Sequence, residues 1–103
     1  MDLVDHKIMK YLKQMGPEYP WLLSLRINIP YEEARERLEG LRAAGHLTRV
    51  SGRIVTYRQE RRLKATKHRN HTYYDLTRQG KAVLKDLEAA GEVDLNLSFP
   101  YKR

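Results

Sequence analysis

The stretch Asn28-Ile29-Pro30 constrains this chain more than any other, because it separates two helical patterns by almost nothing. Before it, Pro20 suits the first turn of a helix, and Trp21, Leu22 and Leu25 form a short apolar stripe in which Trp21 is expected to anchor the core. A residue preceding proline is pushed out of the helical region, so this helix can run only to about Arg26. After the break, residues 31 to 44 (YEEARERLEGLRAA) place Ala34, Leu38 and Leu41 at helical spacing, with Glu32 and Glu33 complementing the positive end of the helix dipole. A short helix, a tight turn and a second helix amount to a helix-turn-helix.

The flanking segments build outward from that unit. Residues 2 to 15 repeat Val4, Ile8, Tyr11, Leu12 and Met15 on one helical face, with Lys7, Lys10, Lys13 and Gln14 on the other. Asp2 can cap this helix, and Gly16-Pro17 stops it. Gly45 closes the helix that began at Tyr31, and His46 to Val50 are rich in β-formers, so a strand starts there. Ser51-Gly52 reads as a bulge or turn, and Ile54 to Tyr57 continue in extended form. Residues 58 to 70 are polar, basic and aperiodic, as a loop should be. His71 to Leu76 return as a strand, in which alternation sends one of Tyr73 and Tyr74 to the core and the other outward. Thr77 then caps a last helix, Arg78 to Ala90, with Val83, Leu84 and Leu87 inward and Gly91 as its stop. The expected class is α+β: a three-helix bundle, a two-stranded β-hairpin and a C-terminal helix, forming one domain over residues 1–91. In the tail, 92–103, Val93, Leu95, Leu97 and Phe99 alternate with polar residues, which suits an extra strand pairing with a sheet edge of its own or of a partner subunit.

Charge is placed as unevenly as structure. The chain carries a net charge of +7, and residues 49–70 hold eight Lys or Arg against the single acid Glu60, so this stretch accounts for the whole excess. A dense block of this kind makes one polyanion-seeking face. Arg58, Arg61, Arg62, Lys64, Lys67 and Arg69 fall within twelve residues, and Thr66 and His68 can also reach phosphate oxygens; Arg49 and Arg53 extend the same face. If about five or six phosphates are neutralised, log affinity should fall against log salt with a slope near −5.

Several classes are set aside by what the sequence lacks. It has no cysteine, which excludes disulfides and thiolate metal sites and suits a cytoplasmic location. Its longest apolar runs are as short as Trp21-Leu22-Leu23, against the roughly 20 residues of a membrane span, and its start, MDLVDHK, does not read as a signal peptide. His68 and His71 lie three apart and His46 elsewhere, with no third ligand at metal-binding spacing, so neither a metal nor a cofactor is expected. Without a nucleophile elbow, a phosphate-binding glycine loop or a metalloprotease motif, the chain does not read as an enzyme.

The segment from Asp2 to Ala90 resembles the winged helix-turn-helix transcription regulators of the MarR-like and phage-repressor-like kind. The likeness is carried by LRAAGHLTRV and YYDLTRQGKAVL. RVSGRIV together with KHRNHTYYDLTRQGK looks, more closely, like an uncharacterised family of small prokaryotic winged-helix proteins. The resemblance implies that the helix beginning at Tyr31 meets base edges in the major groove, through Tyr31, Glu32, Arg35 and Glu36, while the hairpin wing grips the backbone. It also implies a homodimer paired through terminal helices, with double-stranded DNA as partner and transcription regulation as role. The acids Glu32, Glu33, Glu36 and Glu39 depart from that pattern, since carboxylates are repelled by phosphates; internal pairs Glu32–Arg35 and Glu33–Arg37 on a solvated face are the competing reading. A protein-interaction or RNA-binding module, meeting RNA or an acidic protein, is the alternative function.

Overall fold

A computed structural model describes residues 2–51 and 71–91. Its elements follow in the order α1 (Leu3–Met15), α2 (Pro20–Ile27), α3 (Tyr31–Ala43), β1 (Leu47–Ser51), β2 (Thr72–Leu76) and α4 (Arg78–Ala89). This is the α+β arrangement expected from the sequence, with helix boundaries displaced by a residue or so. The expected extended run Ile54–Tyr57, the basic loop and the tail strand at Val93–Phe99 lie outside the described residues.

Local chemistry sets each boundary. The Asp2 carboxylate accepts from the Asp5 N–H at 3.1 Å and opens α1. Asn28, at φ 60°, takes the left-handed turn that ends α2, and the Ile29 N–H returns to the Ser24 carbonyl at 3.0 Å. At the end of α3, Gly45 sits at φ 89°; its N–H reaches the Arg42 carbonyl and that of His46 the Leu41 carbonyl, both at 2.9 Å, a pair of bonds that satisfies two orphan carbonyls. Thr77 caps α4 by accepting from the Gly80 N–H at 2.9 Å, and its hydroxyl donates to the Gly45 carbonyl at 2.7 Å. One threonine therefore joins the end of α3 to the start of α4.

Helix α1 is central, packed against α2, α3 and α4. Ile8, Met9 and Tyr11 are fully buried in it, and with Leu23, Leu38, Leu47, Tyr74 and Leu84 they form the core. Lys10 and Lys13 both meet the buried Glu88 carboxylate, tying α1 to α4.

Strands β1 and β2 pair antiparallel in the register Leu47–Leu76, Thr48–Asp75, Arg49–Tyr74, Val50–Tyr73 and Ser51–Thr72. Opposed residues project from the same face. Leu47, Tyr74 and Leu76 face the helices, so Arg49 is on the core side too. Tyr74 directs both backbone groups away from β1: its N–H donates to the Glu18 carbonyl at 2.8 Å and its carbonyl accepts from the Glu18 N–H at 3.1 Å. Glu18 thus adds a single bridge on the far edge of β2. Its carboxylate accepts from the Tyr11 hydroxyl at 2.7 Å in the interior.

Two expectations are corrected. Trp21 is not a core anchor: it is 54% exposed, as is Leu25 at 55%, while Leu23, Ser24 and Ile27 are buried. Helix α2 is apolar nearly all round, and packing chose the stripe opposite to the one read from its sequence. Tyr73 and Tyr74 do point to opposite faces, yet both are buried, at 1% and 5%. Tyr74 joins the core, and Tyr73 packs edge-on against Tyr19, their rings 5.3 Å apart.

Candidate nucleic-acid interface

Helix α3 begins abruptly. Pro30 precedes it without a side-chain cap, and Glu32 and Glu33 sit among its uncapped N–H groups, where negative charge is favoured. Ala34, Leu38 and Leu41 turn inward, so the opposite face carries Tyr31, Glu32, Arg35 and Glu36, all exposed. The four residues expected to meet base edges therefore share one open surface.

The acids of α3 are largely paired. Glu32 accepts from Arg35 at 3.0 Å and Glu33 from Arg37 at 2.8 Å, the two internal pairs expected from spacing. Arg37 also reaches Asp2 at 2.7 and 2.8 Å and Asp5 at 3.2 Å, which commits it to holding α3 against α1. Glu32 raises the basicity of Arg35, whose side chain remains 55% exposed. Among the described residues, Glu36 has no ion pair.

Arg49 sits where the hairpin's core face meets α3. Its guanidinium grips Glu39 through two nitrogens, at 2.9 and 3.2 Å. Arg42 at 3.0 Å and the Tyr74 hydroxyl converge on the same carboxylate. Arg49 is the main cause that draws the Glu39 carboxyl down to about 2, with Tyr74 and Arg42 adding to it. Burial, then Glu39, pushes the Tyr74 phenol above its ordinary value. Arg49, expected to extend the phosphate-seeking face, is engaged by Glu39 of its own chain, with half of its side chain still exposed. Arg53, Arg58, Arg61, Arg62, Lys64, Lys67, His68 and Arg69 lie outside the described residues.

Beside α3 runs an open groove of about 420 Å³, lined by Tyr19, Pro20 and Trp21, by Tyr31 and Arg35, and by His71, Thr72 and Tyr74. Three separate parts of the chain meet there: the start of α2, the start of α3 and the start of β2. The rings are ordered. Tyr19 stacks on His71 with centroids 4.3 Å apart and planes within 6°, and Trp21 continues the stack 6.5 Å from Tyr19. Tyr31 is 44% exposed on the facing helix.

Residues 1–87 match the model of a family described as an uncharacterized protein conserved in archaea (DUF2250). The chain belongs to this family. No curated protein matches it. Among solved structures it is similar to that of the transcriptional regulator Tm0710 from Thermotoga maritima, with a TM-score of 0.61 and 20% identity over 82% of this chain and 51% of that one. The chain thus spans about half the length of that regulator. At this identity the likeness speaks to fold, and the fold of this DUF2250 chain is a winged helix: three helices, a two-stranded hairpin and a closing helix.

Sequence reasoning found the open face of α3 because Ala34, Leu38 and Leu41 fix the phase of a thirteen-residue helix. It missed the groove. No local pattern announces it, since Trp21, Tyr31 and His71 are brought together only by the fold. Of the histidines weighed as ligands, His46 is 3.4 Å from the Gln79 side chain and His71 is in the aromatic stack. Among the described residues, no three metal-binding side chains come together.

Proposed function

We propose that this protein binds double-stranded DNA as a regulator of transcription, with the N-terminal turns of α3 at the base edges and the basic stretch on the backbone. The observation that carries this reading is a juxtaposition. The open face of α3 lies beside a hairpin whose last described pair, Ser51–Thr72, brackets residues 52–70, which hold seven Lys or Arg and one acid. A winged-helix neighbour described as a transcriptional regulator adds support. The ion pairs of α3 weaken the objection from its acidity: Glu32, Glu33 and Glu39 are each neutralised by an arginine. Arg35, 55% exposed though paired with Glu32, can reach a guanine or a phosphate only by exchanging that partner, and Glu36 can accept from a cytosine amino group.

A salt titration of duplex-DNA binding tests the proposal. The expected result is measurable affinity at low salt, a log–log slope near −5, and a weaker slope once Arg61, Arg62 and Lys64 are replaced together by alanine. Absence of duplex affinity at low salt overturns it. The wing-dominated charge also favours backbone gripping over strong base readout, so discrimination between duplex sequences is expected to be modest. An affinity for RNA equal to that for duplex DNA points instead to the RNA-binding alternative.

A further inference from the structure

The groove described above is an unusual surface for a small chain to expose. Large apolar side chains elsewhere are mostly interior; among the described residues, the large exposed ones are Leu3, Trp21, Leu25 and Tyr31, and two of these four line this one groove. Its lining combines flat rings with one guanidinium, Arg35, and it has few groups suited to an aliphatic or a strongly hydrated ligand. Aromatic rings beside an arginine are what a nucleobase stacks on, irrespective of its sequence.

Its surroundings narrow the occupant further. His71 and Thr72 line the groove, and Thr72 pairs with Ser51, so the basic stretch 52–70 leaves and rejoins the described structure at the groove's rim. Tyr31 and Arg35 also belong to the open face of α3, so a nucleic acid on that helix passes the groove's mouth. A base inside a duplex already has both its ring faces stacked and offers only its edges. A nucleotide outside the duplex, by contrast, presents a free face for Trp21 and Tyr31 to cover.

We infer that the groove between α2, α3 and the start of β2 is a stacking seat for an unpaired nucleobase, so that the protein prefers DNA in which a duplex adjoins a single-stranded nucleotide. The inference rests on the DNA-binding reading above and adds a substrate feature to it. Trp21 is the chain's single tryptophan, so its emission reports on the groove directly.

The test compares a blunt duplex, the same duplex with a short single-stranded overhang, and the same duplex with an abasic overhang, all at one fixed salt concentration. The base-bearing overhang is expected to bind about tenfold tighter than the blunt duplex and to quench Trp21, whereas the abasic overhang gains little. Trp21→Ala should bring the overhang-to-blunt affinity ratio close to one, and Trp21→Phe should restore part of it; unchanged thermal melting of both variants shows that the fold is intact. Equal affinity and equal Trp21 emission for blunt and overhanging duplexes overturn the inference while leaving duplex binding standing. Adenosine monophosphate quenching Trp21 at the same concentration as the overhang also overturns it, and marks a small-molecule site. Failure of every duplex to bind at low salt sinks the DNA-binding reading first.

Discussion

The two ends of α3 are finished in opposite ways. At its C-terminal end the backbone is tied off by a chain of bonds: Gly45 and His46 return their N–H groups to the helix, Thr77 takes the Gly45 carbonyl, and the His46 carbonyl accepts the Thr77 N–H at 3.0 Å. The approach of α4 is so close that a methyl group on Gly80 would overlap the His46 carbonyl oxygen. At its N-terminal end, thirteen residues away, the helix starts on an uncapped proline, shows Tyr31, Glu32 and Arg35 to solvent, and borders an open aromatic groove. One helix thus carries both a closed joint and an open face. The contrast teaches that the exposed rings do not reflect a chain too small to bury them, because the chain just past the end of the same helix is packed to backbone contact.

The strongest blow to the closed end is Gly80→Ala. Overlap with backbone leaves no rotamer as escape, so a loss of about 3 kcal/mol is expected, seen as a fall in Tm of more than roughly 10 °C. A melt within a degree or two of the parent would mean that α4 can shift, and the joint is looser than described. At the open end the largest single change is expected from Arg35→Ala, which should weaken duplex binding about tenfold with little change in melting. Its counterpart Arg37→Ala should do the reverse: Arg37 bridges α3 to Asp2 and Asp5, so its loss is felt in stability, by roughly 1 kcal/mol, and hardly in DNA affinity. Equal effects of the two on binding would erase the distinction between the ends.

Thr77→Ala removes the cap of α4 and the hydroxyl that donates to Gly45. About 1 kcal/mol of destabilisation is expected from denaturant unfolding, and Thr77→Ser should recover most of it. The smallest effect concerns pH. The Glu39 carboxyl lies at about 2 in the folded chain against an ordinary 4.5, held there chiefly by Arg49. Glu88 is lowered as well, chiefly by Lys10. Depressed carboxyls contribute stability that is complete above the unfolded value and is lost as pH falls towards the folded one. Melting temperatures should therefore hold steady down to about pH 5 and decline below it, and Glu39→Gln should make that decline shallower.

What the sequence disclosed follows the range of the interactions involved. Asp2, Gly45, Thr77 and Gly91 could be read because capping acts within a few residues, and Glu32–Arg35 and Glu33–Arg37 because helical spacing alone brings them together. The direction of α2 could not. With Trp21, Leu22, Leu23, Leu25 and Ile27 in eight residues, every face is apolar, and α1 and α3 decide which is covered. Gly80 looks like a weak point inside a helix until the His46 carbonyl beside it is known. Arg49 reads as a wing cation; its tie to Glu39 crosses the chain reversal at Gly45 and is a product of strand register. The groove was the least legible part, being assembled from residues 19–21, 31–35 and 71–74.

The most direct test of the interface is to map amide chemical-shift changes while a short duplex is added to isotope-labelled protein. The largest changes should fall on Tyr31 to Glu36 and on the hairpin ends near Val50 and Thr72, with Leu84 to Glu88 on α4 almost unmoved. Changes concentrated on α1 and α4, with the start of α3 silent, would contradict the placement of DNA on the open end of α3.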